Sequence, residues 1–77
     1  MTKEEIAIKE VKQEFRRAID KFSSFSSTHE GYAVIKEELD ELWDEIKGNT
    51  NPKGNMRKEA AQIAAMGLRF IVDCCSQ

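Results

Sequence analysis

Apolar residues recur along the chain with helical rather than strand spacing. Ile8, Val11, Phe15, Ile19 and Phe22 return every three or four positions, with Ala18 beside them, and predict a helix over about residues 3–22. Its other face carries Lys9, Glu10, Lys12, Gln13, Arg16, Arg17 and Asp20. The stretch SSFSST at 23–28 is a short linker, and Ser27 followed by Glu30 fits a capping box that starts a second helix. Tyr32, Ile35, Leu39, Leu42, Trp43 and Ile46 form the apolar stripe of that helix, about 28–47. The stretch KGNTNPKGN at 47–55 breaks the pattern, with Gly48 as a plausible cap and Pro52 suited to a first helical turn. A third helix over about 53–75 follows. No segment alternates like a strand, so the fold class is all-α: three antiparallel helices in a single domain spanning 1–77.

The third helix is apolar almost all the way round, from Ala60 to Cys74. A helix of that kind is buried on several sides. Two partner helices from 77 residues hardly suffice, so the subunit is expected to complete a helical bundle as a homodimer or homotetramer.

Composition narrows the class. Charged residues make up 34% of the chain and the net charge is −2 with both signs interspersed, which argues against nucleic acid or an anionic membrane as partner. No apolar run approaches the roughly 20 residues of a membrane span. The opening MTKEEIAIKEVK has no apolar stretch of the signal-peptide kind, so a cytoplasmic location is expected. Cys74 and Cys75 are adjacent and read as reduced thiols, and with one histidine the chain has too few ligands for zinc.

Candidate chemistry lies in EELDELWDE, residues 37–45, which holds six carboxylates in nine positions. At about 100° per residue these separate into two sets. Glu37, Asp40 and Asp44 face away from the apolar stripe, as a solvated face would. Glu38, Glu41 and Glu45 border it. On the third helix, Glu59, Gln62, Arg69 and Asp73 share one narrow polar stripe. That stripe either faces water or is paired, hydrated or metal-bound, because unpaired burial is costly. If the second and third helices pack antiparallel, the Glu38/Glu41 flank can meet the Glu59/Gln62 flank. Three carboxylates there repel one another, and a hard cation such as Mg²⁺ or Mn²⁺ removes that penalty. His29 reads as a surface residue near the helix start, and Trp43 and Tyr32 as core, with base stacking as the alternative.

EELDE, Glu37 to Glu41, followed across a turn by EAAQ, Glu59 to Gln62, resembles the paired EExxE and ExxD motifs of the MazG-like all-α nucleoside triphosphate pyrophosphohydrolases. The wider text from His29 to Asp73 is similar to short phage or bacterial members, and the resemblance covers about residues 20–73. It implies Mg²⁺- or Mn²⁺-dependent hydrolysis of a nucleoside triphosphate to monophosphate and pyrophosphate, in cleaning of the nucleotide pool, by a dimer or higher assembly. It implies Glu38, Glu41 and Glu59 as metal ligands and Glu37 as a ligand or a group just behind them. Glu37 and Glu38 are thereby the catalytic candidates, with Lys58 and Arg69 toward phosphate. Gln62 stands where the family has aspartate; an amide oxygen binds a hard cation but carries no charge and cannot act as a base. A binding module that retains nucleotide or protein binding without turnover is the alternative, and a plain interaction protein with solubilising acids the third.

Overall fold

The computed structural model describes residues 1–48 and 52–76, without the side chains of 52–54. It is all-helical: α1 spans Lys3–Lys21, α2 Thr28–Gly48 and α3 Pro52–Phe70, which runs on into a π-helical turn at Ile71–Cys75. There is no strand among the described residues. Most of the turn expected between the second and third helices, 49–51, lies outside them.

Local chemistry sets the helix ends. Thr2 opens α1 with a capping box: its Oγ1 accepts from Glu5 N at 3.1 Å while Glu5 Oε1 accepts from Thr2 N at 3.0 Å. This T-x-x-E signal is in the sequence, although the apolar pattern did not draw attention to it. At α2 the Ser27 hydroxyl accepts from Glu30 N at 3.0 Å, as expected. The Glu30 carboxylate reaches one residue further than a capping box requires and binds Ser26, at 2.9 Å to N and 3.1 Å to Oγ. The linker is thereby pinned from two sides.

α3 is the element around which the chain is organised, since it packs against both α1 and α2. Close approach is possible because the buried apolar positions are small: Ala18 on α1, and Ala61 and Ala65 on α3. At Gly31 of α2 the Phe70 ring lies so near that an added Cβ would come within 2.6 Å of Phe70 Cδ2. Near the opposite end of α3, Asn55 Nδ2 donates to Glu45 of α2 at 3.1 Å. Arg57 grips Glu10 of α1 with three contacts of 2.7–2.9 Å.

The polar stripe of α3 takes the paired one of its two alternatives at Arg69 and Asp73. Arg69 is 4% exposed and fully engaged. Its Nη1 donates to Ala18 O at 2.6 Å, its Nη2 to Phe22 O at 2.7 Å and its Nε to Asp73 Oδ2 at 3.0 Å. The same Asp73 oxygen accepts from Phe25 N at 3.0 Å. A helix end leaves carbonyls without intrahelical partners; here one guanidinium satisfies two at the end of α1. The stripe is paired inside the fold rather than washed by water.

Several expected core residues are exposed. Tyr32, Leu39, Trp43 and Ile46 make one stripe of α2 with relative exposures of 44–65%. Leu68, Ile71 and Val72 do the same at the end of α3, and Ile8, Ile19 and Phe22 on α1. The core reading of Tyr32 and Trp43 is therefore wrong for the single chain: helical spacing marks an apolar face but not whether the same chain covers it. Cys74 and Cys75 are free thiols, and Cys75 is exposed rather than packed. His29 is exposed, as expected.

Replacing Arg69 with methionine leaves Asp73 as a buried charge without its partner and frees two carbonyls. The expected loss is about 3 kcal/mol or more, the scale of a broken buried ion pair, measured by urea denaturation; a change below roughly 1 kcal/mol, typical of an exposed pair, contradicts this role.

Candidate metal centre

The acids of 37–45 divide as helical geometry demands. On the outer face Asp40 pairs with Lys36 at 2.9 Å and Asp44 with Lys47 at 3.6 Å, while Glu37 is exposed. Of the three seam residues, Glu45 turns to Asn55. Glu38 and Glu41, one helical turn apart on α2, meet Glu59 of α3, and one oxygen from each lies within 4.8 Å of the others. Gln62, one turn beyond Glu59, completes the group. With its amide nitrogen turned inward it donates to Glu38 Oε2 at 2.9 Å and to Glu59 Oε2 at 3.1 Å.

The electrostatics carry the mark of crowding. Burial, followed by the hydrogen bond and charge of Glu59 and the charge of Glu41, pushes the Glu38 carboxyl up to about 7. Burial and Glu59 also raise Glu41, although its hydrogen bond with Glu38 acts the other way. A carboxyl raised in this way is held partly protonated, so that it can share a proton with its neighbour. The site thus has two ways to relieve repulsion, a proton or a cation.

The donor set suits a hard cation. Octahedral Mg²⁺ holds oxygens at about 2.1 Å, hence about 3.0 Å apart when adjacent and about 4.2 Å when opposite. Three carboxylate oxygens gathered within 4.8 Å need only a small contraction to meet that geometry. The Gln62 amide can stitch carboxylates through nitrogen, or, turned by 180°, offer its oxygen as a neutral ligand.

Of the residues singled out in the sequence, Glu38, Glu41, Glu59 and Gln62 come together. Glu37 stays outside the cluster, on the exposed face. Lys58 is exposed and lines a cleft with Glu38 and Gln62. Arg69 lines the same cleft, but its guanidinium is occupied by Asp73, Ala18 and Phe22. Each of the three guanidinium nitrogens already donates once within the protein. Sequence reasoning missed the contribution of α1, whose Glu14, Arg17 and Lys21 also border the cleft. Their spacing of three and four around buried Ala18 puts them on one face, a signal masked by the stronger apolar stripe.

No family profile, no curated protein and no solved structure matches the chain.

The raised Glu38 carboxyl has a pH consequence. A group whose pKa is higher when folded contributes stability below its unfolded pKa and loses it as pH rises through the folded value. The metal-free protein should therefore melt at lower temperature as pH climbs from about 4.5 through about 7. Glu38→Gln should flatten that segment of the profile, and the same slope in both proteins would show that the cluster is not its source.

Proposed function

We propose that the chain is a small, Mg²⁺- or Mn²⁺-dependent nucleoside triphosphate pyrophosphohydrolase of the MazG-like kind, releasing monophosphate and pyrophosphate in cleaning of the nucleotide pool. The observation that carries this reading is the convergence of Glu38, Glu41 and Glu59 from two helices on one point, with Gln62 against them. EELDE and EAAQ stand in the order and on the helices that the resemblance requires.

In this reading α2 and α3 form an antiparallel hairpin that presents the ligands. Glu38, Glu41 and Glu59 hold the cation, and Gln62 contributes its amide oxygen or orients its neighbours. A divalent cation held there would supply charge neutralisation on phosphate oxygens and a lowered pKa for bound water. Glu38, which belongs to both cluster and cleft, is the carboxylate placed to handle the proton of the attacking water. Lys58 steadies the phosphates. Glu37 has no role in the cluster, and Arg69 shapes the site from behind.

The protein is proposed to work as a homodimer or homotetramer. Buried apolar side chains among the described residues amount to three alanines, while whole apolar stripes of α2 and α3 stand open. Exposed patches of this kind mark association surfaces, and no apolar residue larger than alanine is buried among the described residues. No described helix is long and apolar enough to cross a membrane.

A second reading has a specific basis in Gln62. An amide in place of a carboxylate lowers the charge of the donor set by one and removes a possible base. A nucleotide-binding module without turnover would retain the cluster and lose the chemistry.

A panel of canonical and damaged nucleoside triphosphates, assayed with Mg²⁺ and with Mn²⁺, separates the two. The enzyme should release pyrophosphate, and Glu38→Gln should lower the rate by roughly 100-fold or more, the scale on which a charge-stabilising group acts. A metal-dependent rise in melting temperature with nucleotide but without product would favour the binding module. Neither response from any substrate would end both readings.

A further inference from the structure

A cleft of about 640 Å³ adjoins the carboxylate cluster. That size falls within the roughly 300–1,000 Å³ of small-ligand pockets. Its apolar walls come from all parts of the chain: Phe22 on α1, Phe25 in the linker, Val34 on α2 and Met66 on α3. Glu38 and Gln62, which belong to the cluster, are also among its lining residues. Cleft and cluster are therefore continuous, and a molecule filling the first presents one end to the second.

The walls are set in advance. The Phe25 N–H is held by Asp73 at 3.0 Å, and the Arg69 guanidinium lies 5.7 Å from the centre of the Phe25 ring. A wall fixed before binding reduces the ordering cost of a ligand. Polar groups also line it: Glu14 and Arg17, paired at 2.7 Å, and Lys58, which has no ion-pair partner among the described residues.

We infer that this cleft receives the base and sugar of a nucleoside polyphosphate, with its phosphates directed toward Glu38 and Gln62. The inference rests on the reading of the cluster as a cation site and extends it to the far end of the substrate. A flat heteroaromatic ring has apolar faces and a hydrogen-bonding edge. Phe25, Val34 and Met66 match the faces, and the Glu14–Arg17 pair offers both an acceptor and a donor to the edge. A bare polyphosphate leaves the apolar walls uncovered, and a hydrocarbon chain leaves Glu14, Arg17 and Lys58 unmatched. Helix α1, outside the acidic motifs, thereby becomes the element that sets base preference.

The chain has three methionines, which gives a direct readout. Met66 lines this cleft, Met56 lies in a separate hollow between α1 and α3, and Met1 is exposed. The full chain, labelled with ¹³C at the methionine methyls, is titrated first with uncharged nucleosides in the absence of metal. It is then titrated with a non-hydrolysable nucleoside triphosphate and with inorganic tripolyphosphate, each with Mg²⁺. A saturable shift of the Met66 methyl with at least one nucleoside or with the nucleotide is expected, with Met1 and Met56 unmoved. The nucleotide should bind at least tenfold more tightly than tripolyphosphate, and Val34→Phe, which fills the cleft, should remove that advantage. Equal affinity for nucleotide and tripolyphosphate, or no selective Met66 shift in any titration, would overturn the inference. Tripolyphosphate, titrated also without metal, that binds only when Mg²⁺ is present supports the cation site whatever Met66 does. A nucleoside shift without metal supports the cleft even if the cation reading fails.

Discussion

The guanidinium of Arg69 is the contact on which the geometry of this small protein depends. It closes the end of α1 through the Ala18 and Phe22 carbonyls and draws in the linker through Asp73 and Phe25. A chain whose buried apolar residues are alanines has little hydrophobic energy to fix helix positions. Directional bonds take on that task instead. With α1 tied at its end, and Glu10 tied to Arg57 nearer the other, α3 is held between two neighbours. Only then can Glu59 and Gln62 stand opposite Glu38 and Glu41.

Much of this was legible in the sequence, and what was not has physical causes. Helix limits followed from apolar period and turn chemistry to within a residue or two at most described ends, and the third helix ends in a wider turn rather than a regular one. The division of the acidic run into an outer and an inner set followed from an angle per residue, and only Glu45 left the expected group, taken by Asn55. The partners of Arg69 were not legible, because a helical wheel shows which residues share a stripe but not what that stripe faces. Its partners are backbone carbonyls some 50 positions away, 51 for Ala18 and 47 for Phe22, and carbonyls leave no trace in side-chain patterns. Tyr32 and Trp43 on the exposed apolar stripe of α2 were read as core for the converse reason. Period reports a face that avoids water, and says nothing of whether one chain or two will cover it.

The carboxylate cluster is costly to assemble, since burial and mutual repulsion both oppose ionisation of Glu38. A fold that depends on few apolar contacts gains nothing in stability from such crowding. In the proposed reading the cluster is a site that trades shared protons for a divalent cation. Gln62 fits the same logic: in the metal-free state its amide donates to two of the carboxylates it faces, where a fourth acid would add to the repulsion. The proposed enzyme and the proposed binding module both rest on this exchange, and differ in whether the amide permits turnover.

Crystals grown with Mn²⁺ and examined by anomalous diffraction test that exchange most directly. The account predicts an anomalous peak coordinated by oxygens of Glu38, Glu41 and Glu59, at about 2.2 Å from each, the reach of a small octahedral divalent ion. Peaks only elsewhere, with the three glutamates still hydrogen-bonded to one another in saturating Mn²⁺, would contradict it.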